Sequence, residues 1–565
     1  MTDVAATKQK SVNYSLEFDG TATPTKTALF LLLVVCWLLP GLIGHDPWKP
    51  QEAQTFGVTF DMLKSGQWLV PMLAGEPYLD RPPLYYWTAA LFAKAFSSML
   101  PLHDAARLAS GFYMLLAILF ITLTAAKLFG PRFGRVTALL FIGSFGLLIT
   151  AHTMLADSAG LAGAALALYG LAWLPGRVKV AGLCAGSGIG VAFLSKGVMA
   201  AVLVFSMALA PWVLFRVWRT RAYGQALGVA VLAALPWLLL WPIALYLRSP
   251  QFASEWLWLN ELNDFSNLFS VETLRRAGYY TSLLPWYAWP ALPLVLVAFW
   301  YGRKTLASNE KIQLLLGAFF GLFAALCLLG EMREVNALPL LLPLSLLCSS
   351  QIDTLRRGAT SALDWFGMMG FGLLAGAMWL GWLALLYGVP KPLANYLQIY
   401  LPGHRHEFEL IPFTLAIALS MLWLIAITRL RRSNRRAVVN WTAGITMFWM
   451  LAMTLWLPFF DEAKSYRATI AALQRALPAT ANCVASRQLG ESQRALLDYF
   501  AGLRTQRLEL SATNICNYLL IQGTRQSPSD AEPADWKLLW QGARPGDNTE
   551  LYRLYERKRK NKRKS

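Results

Sequence analysis

The chain has 565 residues, 56% hydrophobic and only 15% charged, whereas a soluble globular protein carries about a quarter charged residues. That deficit excludes a soluble enzyme, a disordered scaffold and a nucleic-acid binder built on an exposed charged surface. The excess of 51 Lys and Arg over 32 Asp and Glu, a net +19, says nothing about partners until each charge is assigned to one side of a membrane. With a mean hydropathy of +0.42, the sequence reads as a polytopic membrane protein. Its six cysteines form no disulfide framework. Cys36, Cys184, Cys327 and Cys348 lie inside apolar runs, and Cys483 and Cys516 lie in the polar C-terminal part.

Residues 1–25 form a polar N-terminus expected in the cytoplasm. A span takes about 20 mainly apolar residues, and the first covers 26–44. It lacks a small-residue cleavage site, so it reads as a retained helix rather than a signal peptide. The loop 45–105 is rich in Pro, Trp and charge. Its segment 84–100 (LYYWTAALFAKAFSSML) is apolar, but charge decides that it lies on the membrane surface. The basic clusters Lys127/Arg132/Arg135, Arg177/Lys179, Arg216/Arg219/Arg221, Arg303/Lys304/Lys311, Arg356/Arg357 and Arg429 through Arg436 then all fall on one side, the cytoplasmic one. Thirteen spans follow: 26–44, 106–127, 135–154, 157–175, 179–195, 197–217, 224–247, 279–302, 312–330, 336–350, 361–388, 411–429 and 438–458. The expected fold is therefore an all-α polytopic membrane protein of about 13 transmembrane helices over 26–458.

A small external α/β domain is expected over 459–565. Helix-like 462–477 precedes strand-like CVAS and LYRLY. Cys483 and Cys516 either pair there, in an oxidising compartment, or stay free. The basic tail Arg557–Lys564 is a solvated tail or a contact with anionic lipid.

Ionisable groups at membrane ends are costly and mark function by default. The external ends collect Asp46, Glu52, Asp80, Asp104, Asp157, Glu255, Glu261, Asp264, Glu331 and Glu334, interleaved with Lys49, Arg81, Arg107, Lys196 and Arg333. Asp157 opens a helix and is either an N-cap or a site residue. Lys196 sits between two apolar runs and either snorkels or needs an anionic partner. Asp80-Arg81-Pro82-Pro83 is either loop punctuation or an acid–base pair on a stiffened chain. Arg333, between Glu331 and Glu334, is either a local ion-pair cluster or a phosphate ligand. A lipid-phosphate substrate explains the mixture: its phosphate needs Lys or Arg, and a carboxylate serves as base on an acceptor hydroxyl. The five His (45, 103, 152, 404 and 406) are scattered. No cofactor and no metal ligand are assigned; a divalent metal stays open, without a clear ligand cluster. There is no Walker motif, and no inverted repeat supports a transporter.

The stretch 46–87, DPWKPQEAQTFGVTFDMLKSGQWLVPMLAGEPYLDRPPLYYW, resembles the first external loop of the C-type glycosyltransferases that use polyprenyl-phosphate sugars. These are the protein O-mannosyltransferases and the aminoarabinose transferases of lipid A. The matching residues are Gln51-Glu52, Gly66-Gln67-Trp68 with Pro71, Gly75, and Arg81-Pro82-Pro83-Leu84 with Trp87. MLADSAG (154–160), FLSKG (193–197), LPWYAWPALP (284–293) and LPLLLPLSLL (338–347) resemble later landmarks of the family in the same order. Four positions depart from it. Gln51 stands where the family has Asp, Gln54 and Thr55 where the aminoarabinose branch has Arg and Tyr, and Arg81 where it has Lys. The aromatic of the family's late helix has no match near Arg333–Leu340.

The resemblance implies an inverting glycosyltransferase of the bacterial inner membrane whose site faces the periplasm. It would move a sugar from a polyprenyl-phosphate donor to lipid A or another lipid or glycan acceptor. Its partners would be membrane lipids and no nucleic acid, and the protein would be a monomer. Glu52, Asp157 and Gln51 occupy the implied catalytic positions. Since Gln is no general base, either Glu52 or Asp157 takes that role, or the acceptor is already an anion, or activity is impaired. Arg81, Lys196, Tyr78 and Arg333 would bind the donor phosphate and sugar. Trp48, Asp80 and Glu261 would position substrate, with Trp48 and Tyr78 stacking on the sugar. Two other classes remain open: a polyprenyl-lipid binding or flipping protein without chemistry, and a membrane assembly factor with a partner-binding external domain.

Overall fold

A computed structural model describes residues 24–174, 176–262, 270–355, 357–429, 433–479, 481, 483–510, 516–524, 535–547 and 549–558. The expectations for residues 1–23, Asp264, Arg356 and most of the basic tail lie outside these residues. Among them, seven helices are long and apolar enough to cross a membrane: Leu102–Phe129, Val178–Lys196, Arg221–Arg248, Glu310–Leu329, Arg357–Tyr387, Leu410–Thr428 and Asn434–Thr454. Each coincides with an expected span, because each is an uninterrupted apolar run that reaches the length of the hydrocarbon core at about 1.5 Å per residue.

The other six expected spans are shorter or broken, for identifiable reasons. Residues 135–154 do not form one helix. Pro131–Ile142 ends at Gly143, a single turn follows over Phe145–Leu148, and the next helix is Asp157–Leu171. Residues 279–302 are two helices, Val271–Tyr287 and Ala291–Gly302, bent by 96° at a break that contains Pro290, which has no amide to continue the ladder. Residues 336–350 begin as a 3-10 turn over Glu334–Leu340, with Pro339 inside it, and continue as the eleven-residue helix Leu341–Gln351. The helices Pro24–Leu38 and Val198–Leu214 have 15 and 17 residues.

Leu84–Phe96 is a helix of 13 residues, too short to span, as the charge argument requires. It packs on Leu102–Phe129, where Tyr85 and Ser110 hydroxyls meet at 2.5 Å and Thr88 and Tyr113 hydroxyls at 2.7 Å.

Asp157–Leu171 and Val178–Lys196 form an antiparallel pair, which puts Asp157 and Lys196 at the same end. Small residues make the approach close. A Cβ on Gly163 would come within 2.6 Å of the Gly188 carbonyl, and one on Gly188 would meet the Gly163 carbonyl in return.

The first loop contributes a helix, Gln51–Ser65, closed by Gly66 in the left-handed region (φ 71°), where Gly carries no steric cost. A two-residue ladder, β1 (Met72–Leu73) with β2 (Glu76–Pro77), follows it. The helix Glu491–Ala501 from the C-terminal part lies on Gln51–Ser65, with Ala495 filling the space above Gly57. Lys64 pairs with Asp498 at 2.7 Å, and Asp61 accepts from the Gly75 amide at 2.6 Å and from Arg504 at 3.2 Å.

The C-terminal strands are β3 (Val484–Arg487), β4 (Gln506–Arg507), β5 (Tyr518–Thr524), β6 (Trp536–Gly542) and β7 (Glu550–Arg557), in sheet order β4-β3-β5-β7-β6. β3 runs parallel to β4 and β5, and β7 runs antiparallel to β5 and β6. CVAS and LYRLY are strands as expected. The expected helix 462–477 is instead two helices, Leu457–Lys464 and Arg467–Ala476, parted at Ser465. Cys483 and Cys516 form a disulfide, with Cα atoms 5.1 Å apart.

A larger side chain between the two central helices has no room. Gly188→Leu is expected to lower stability by about 1–3 kcal/mol, read as a drop in Tm of the detergent-purified protein. An unchanged Tm contradicts this packing.

Candidate active site

Asp157 is the first residue of its helix but does not cap it; it turns instead to two cations. Arg81 Nη1 donates to its Oδ2 at 3.0 Å, and the Lys196 ammonium pairs with Oδ1. The three side chains keep 3%, 17% and 15% of their surface, so little solvent screens them. Lys196 also donates to Asn336 Oδ1 at 2.8 Å, and the Asn336 amide donates to the Glu331 carbonyl at 3.1 Å. Burial works against the Arg81 charge, but Asp157, Tyr86 and Asp80 outweigh it and hold the guanidinium protonated. Asp157 is thus shared between the two cations, and Arg81 also has Asp80 beside its Nε at 3.4 Å.

A narrow cleft opens at this cluster. Asp157, Lys196 and Asn336 form its polar end, and Leu161, Met199 and Leu203 are among its apolar walls. Charge at one end and apolar walls beyond it match an anionic headgroup with a hydrocarbon tail.

Glu261 shapes the same end without entering the ion cluster. Its Oε2 accepts from the Val198 amide at 2.7 Å and its Oε1 from the Trp256 indole at 3.1 Å. It therefore caps the helix that starts just after Lys196, where free amides favour a carboxylate. Gly197 between them has φ 85°, and a Cβ there would collide with the Glu261 carboxylate.

Other residues form the rim. The Tyr78 hydroxyl lies 3.3 Å from Asp80, and Arg81 Nε lies 3.4 Å from the same carboxylate, whose side chain is 56% exposed. Arg333 pairs with Glu331 at 3.2 Å and is half-exposed, yet its charge reaches Lys196. Tyr287 is buried against Gly146 and within electrostatic range of Asp157 and Glu334. Its hydroxyl has no hydrogen-bond partner among the described residues.

Glu52 and Trp48 belong to a second cluster. Glu52 accepts from Arg107 Nε at 2.6 Å, from the Trp48 amide at 3.0 Å and from the Met154 amide at 3.4 Å. Arg107, fully buried, also donates to Asp104 at 2.6 Å and to the Leu42 and His45 carbonyls. Burial would raise the Glu52 carboxyl, but Arg107 and His45 outweigh it and keep it ionised. Trp48 donates to Asp461 at 2.9 Å, with one face stacked on His45 at 4.1 Å and Lys464 over the ring. Its faces are thus taken up by protein groups rather than open for a sugar.

Gln51 opens the first-loop helix, half-buried. One turn on, Gln54 donates to Glu491 at 2.9 Å. His404 and His406 stand side by side with Glu462, but among the described residues no group of three or more His, Cys, Asp or Glu is placed to hold a metal.

The structure thus brings Asp157 and Lys196 to one end of the cleft and links Arg81, Asp80 and Tyr78 to them through successive side-chain contacts, with Glu261 on the turn beside Lys196 and Arg333 on the rim. Asn336, Tyr86 and Tyr287 are the additions. Asn336 had a usable signal: it is a lone amide entering an apolar run.

Residues 80–241 match the family described as dolichyl-phosphate-mannose-protein mannosyltransferase. An undecaprenyl phosphate-alpha-4-amino-4-deoxy-L-arabinose arabinosyl transferase of Pseudomonas aeruginosa (strain UCBPP-PA14) is 30% identical over 457 residues, 76% of this chain and 75% of that protein. The transferase 2 of that name from Pseudomonas fluorescens (strain Pf-5) is 28% identical over 467 residues, 78% and 73% of the two chains. In fold, the chain is similar to ArnT from Cupriavidus metallidurans bound to undecaprenyl phosphate. The TM-score is 0.66 at 15% identity, covering 94% of this chain and 98% of that one.

The loop cluster predicts a pH effect on stability. Burial alone would raise the Asp46 carboxyl, but hydrogen bonds from Arg467 and Ser465 outweigh it and hold it below its ordinary range. In the unfolded chain it titrates near its ordinary value of about 4. Its contribution is therefore complete above that pH and is lost as pH falls through the lower folded value. Thermal unfolding stepped from about pH 6 to about pH 3 should show Tm falling less steeply in Asp46→Asn than in the wild type. Equal slopes contradict this.

Proposed function

Because the chain belongs to the undecaprenyl phosphate-alpha-4-amino-4-deoxy-L-arabinose arabinosyl transferase family of C-type glycosyltransferases, we propose that the Asp157–Arg81–Lys196 cluster is its donor-phosphate site. The enzyme moves a sugar from a polyprenyl-phosphate donor to lipid A or a related envelope acceptor. The observation that carries this reading is the Asp157 carboxylate shared by two largely buried cations, with Asp157 and Lys196 at the polar end of an apolar cleft.

In the reaction, an acceptor oxygen attacks the anomeric carbon while the bond from that carbon to the phosphate oxygen breaks. The electron pair stays on the departing polyprenyl phosphate, and the configuration at the sugar inverts. Negative charge grows on the phosphate oxygen, where Arg81 and Lys196 are already in place and need no reorganisation. Asp157 sets their spacing, Asn336 fixes the ammonium, and Glu261 holds the chain turn that presents it. Arg333 adds positive potential from the rim. Tyr78 and Asp80 border the space for the sugar, and the cleft walls take the first apolar units of the lipid.

The site faces the periplasm in this reading. The basic clusters assign the opposite ends of the spans to the cytoplasm, and the Cys483–Cys516 disulfide supports an oxidising compartment for residues 459–565. The short and broken helices complete thirteen crossings, and the C-terminal sheet forms a periplasmic domain of a monomeric enzyme. Gln51 favours a second reading, a protein that binds the lipid and transfers nothing.

Transfer of labelled sugar from a polyprenyl-phosphate donor into lipid extracts separates the two. Lys196→Ala and Asp157→Asn should each lower the rate by about 10²–10³-fold, whereas Arg81→Lys, which keeps the charge, should stay within about tenfold. Wild-type rates in Lys196→Ala contradict the site, and a wild-type chain that binds donor but transfers nothing supports the second reading.

A further inference from the structure

The Lys196 ammonium offers three N–H donors and no acceptor. Asn336 Oδ1 accepts one at 2.8 Å, and the Asp157 carboxylate faces a second through its Oδ1. Among the described residues that leaves one N–H, and Asp157, Lys196 and Asn336 all line the cleft. The three bonds keep tetrahedral angles to one another, so the direction of the last is set by where the other two are held.

Asp157 alone does not set it. A lysine stem is flexible, and a single ion pair lets the ammonium rotate about the line to its partner. A second acceptor stops that rotation, and Asn336 serves as one in a single orientation. Its Nδ2 donates to the Glu331 carbonyl at 3.1 Å, which turns Oδ1 toward Lys196. The reversed amide would set an NH2 group against the ammonium and an oxygen against the carbonyl.

The Glu331 carbonyl is itself held. The Tyr280 hydroxyl donates to it, and Arg276 Nη1 donates to the Leu328 carbonyl at 2.6 Å. Both come from the helix Val271–Tyr287, which thereby grips the chain as it leaves the helix Glu310–Leu329. Tyr280 is fully buried and Asn336 is 5% exposed, so water competes little for either bond. A Cβ on Gly330 would come within 3.0 Å of the Tyr280 hydroxyl, and the missing side chain lets that hydroxyl reach the next carbonyl.

We propose that Asn336 and Tyr280 are positioning residues for the donor phosphate. Tyr280 fixes the Glu331 carbonyl, the carbonyl fixes the Asn336 amide, and the amide aims the remaining N–H of Lys196 into the cleft, at the phosphate oxygen on which charge grows as the sugar leaves. The inference rests on the glycosyltransferase reading above. A donor already aimed at that oxygen needs no reorganisation when the charge develops.

The test uses the full-length protein in nanodiscs, undecaprenyl-phosphate 4-amino-4-deoxy-L-arabinose as donor and lipid A as acceptor. Asn336→Leu keeps the side-chain volume and removes both polar atoms, and Tyr280→Phe removes one hydroxyl. They should lower kcat by about 10²-fold and about tenfold, with the KM for lipid A unchanged. The rise in Tm caused by undecaprenyl phosphate should be smaller in both variants than in the wild type. In a Lys196→Ala background neither change should lower the residual rate further, because the ammonium they aim is gone, whereas a merely structural role would lower it by the same factor as before. A wild-type kcat in Asn336→Leu overturns the proposal, and so does a further loss of that full factor in the Lys196→Ala background. A wild-type kcat in Tyr280→Phe alone removes Tyr280 from it. No transfer by the wild-type protein overturns the glycosyltransferase reading instead, and an undiminished Tm rise in Asn336→Leu then overturns the aiming as well.

Discussion

Two cations held side by side away from water repel each other by about 4 kcal/mol at 4 Å in a medium of effective dielectric 20, and the Asp157 carboxylate offsets that repulsion. It does so from the first residue of a helix, with Lys196 at the last residue of the next helix and Arg81 on a Pro-stiffened loop. Each support has its own cause. The Gly163–Gly188 contact brings the two helices close, and Glu261 caps the helix after Lys196 and fixes the Gly197 turn. Removing Asp157 leaves two largely buried cations beside each other, with only Asp80 on Arg81 and the Asn336 amide oxygen on Lys196 as partners, which costs more than the net contribution of the cluster to stability. Lys196 faces the cleft, so the interaction that organises the fold at this end also puts a cation where an anion would bind.

The second ion cluster has a different purpose. Arg107 gathers Glu52, Asp104 and two backbone carbonyls, and Glu52 reaches the Met154 amide three residues before Asp157. The first loop is thereby tied to the helix Leu102–Phe129 and to the approach to Asp157. On its outer side the loop is held by Arg467 on Asp46, Lys49 on Glu550 and Lys64 on Asp498. The C-terminal segment therefore lies on the loop and helps to hold it in place.

Much of the site was legible in the sequence, and what was missed has a physical cause. An ammonium at position 196 between apolar runs demands an anion, and Asp157 at a helix start is a natural candidate. That both meet Arg81, 76 residues away from Asp157, is a tertiary fact with no local period. Glu52 was expected at the chemistry because of its place in the motif; its burial under Arg107, 55 residues on, is equally non-local. Hydropathy located the seven long helices but not the path between them. Gly143 and Pro290 interrupt helices within runs that remain apolar throughout, so the composition looks continuous where the backbone is not. Glu491 lies in a polar segment where neither apolar periodicity nor resemblance singled it out, and only the packing of its helix on Gln51–Ser65 brings it to Gln54.

The most direct measurement is a cryo-EM map of the protein in a lipid nanodisc with undecaprenyl phosphate. The phosphate should lie within hydrogen-bond reach, about 3 Å, of both the Lys196 ammonium and the Arg81 guanidinium, with the lipid chain running along Leu161, Met199 and Leu203. A phosphate resolved elsewhere, with the Asp157–Arg81–Lys196 cluster closed and unchanged, would contradict the assignment.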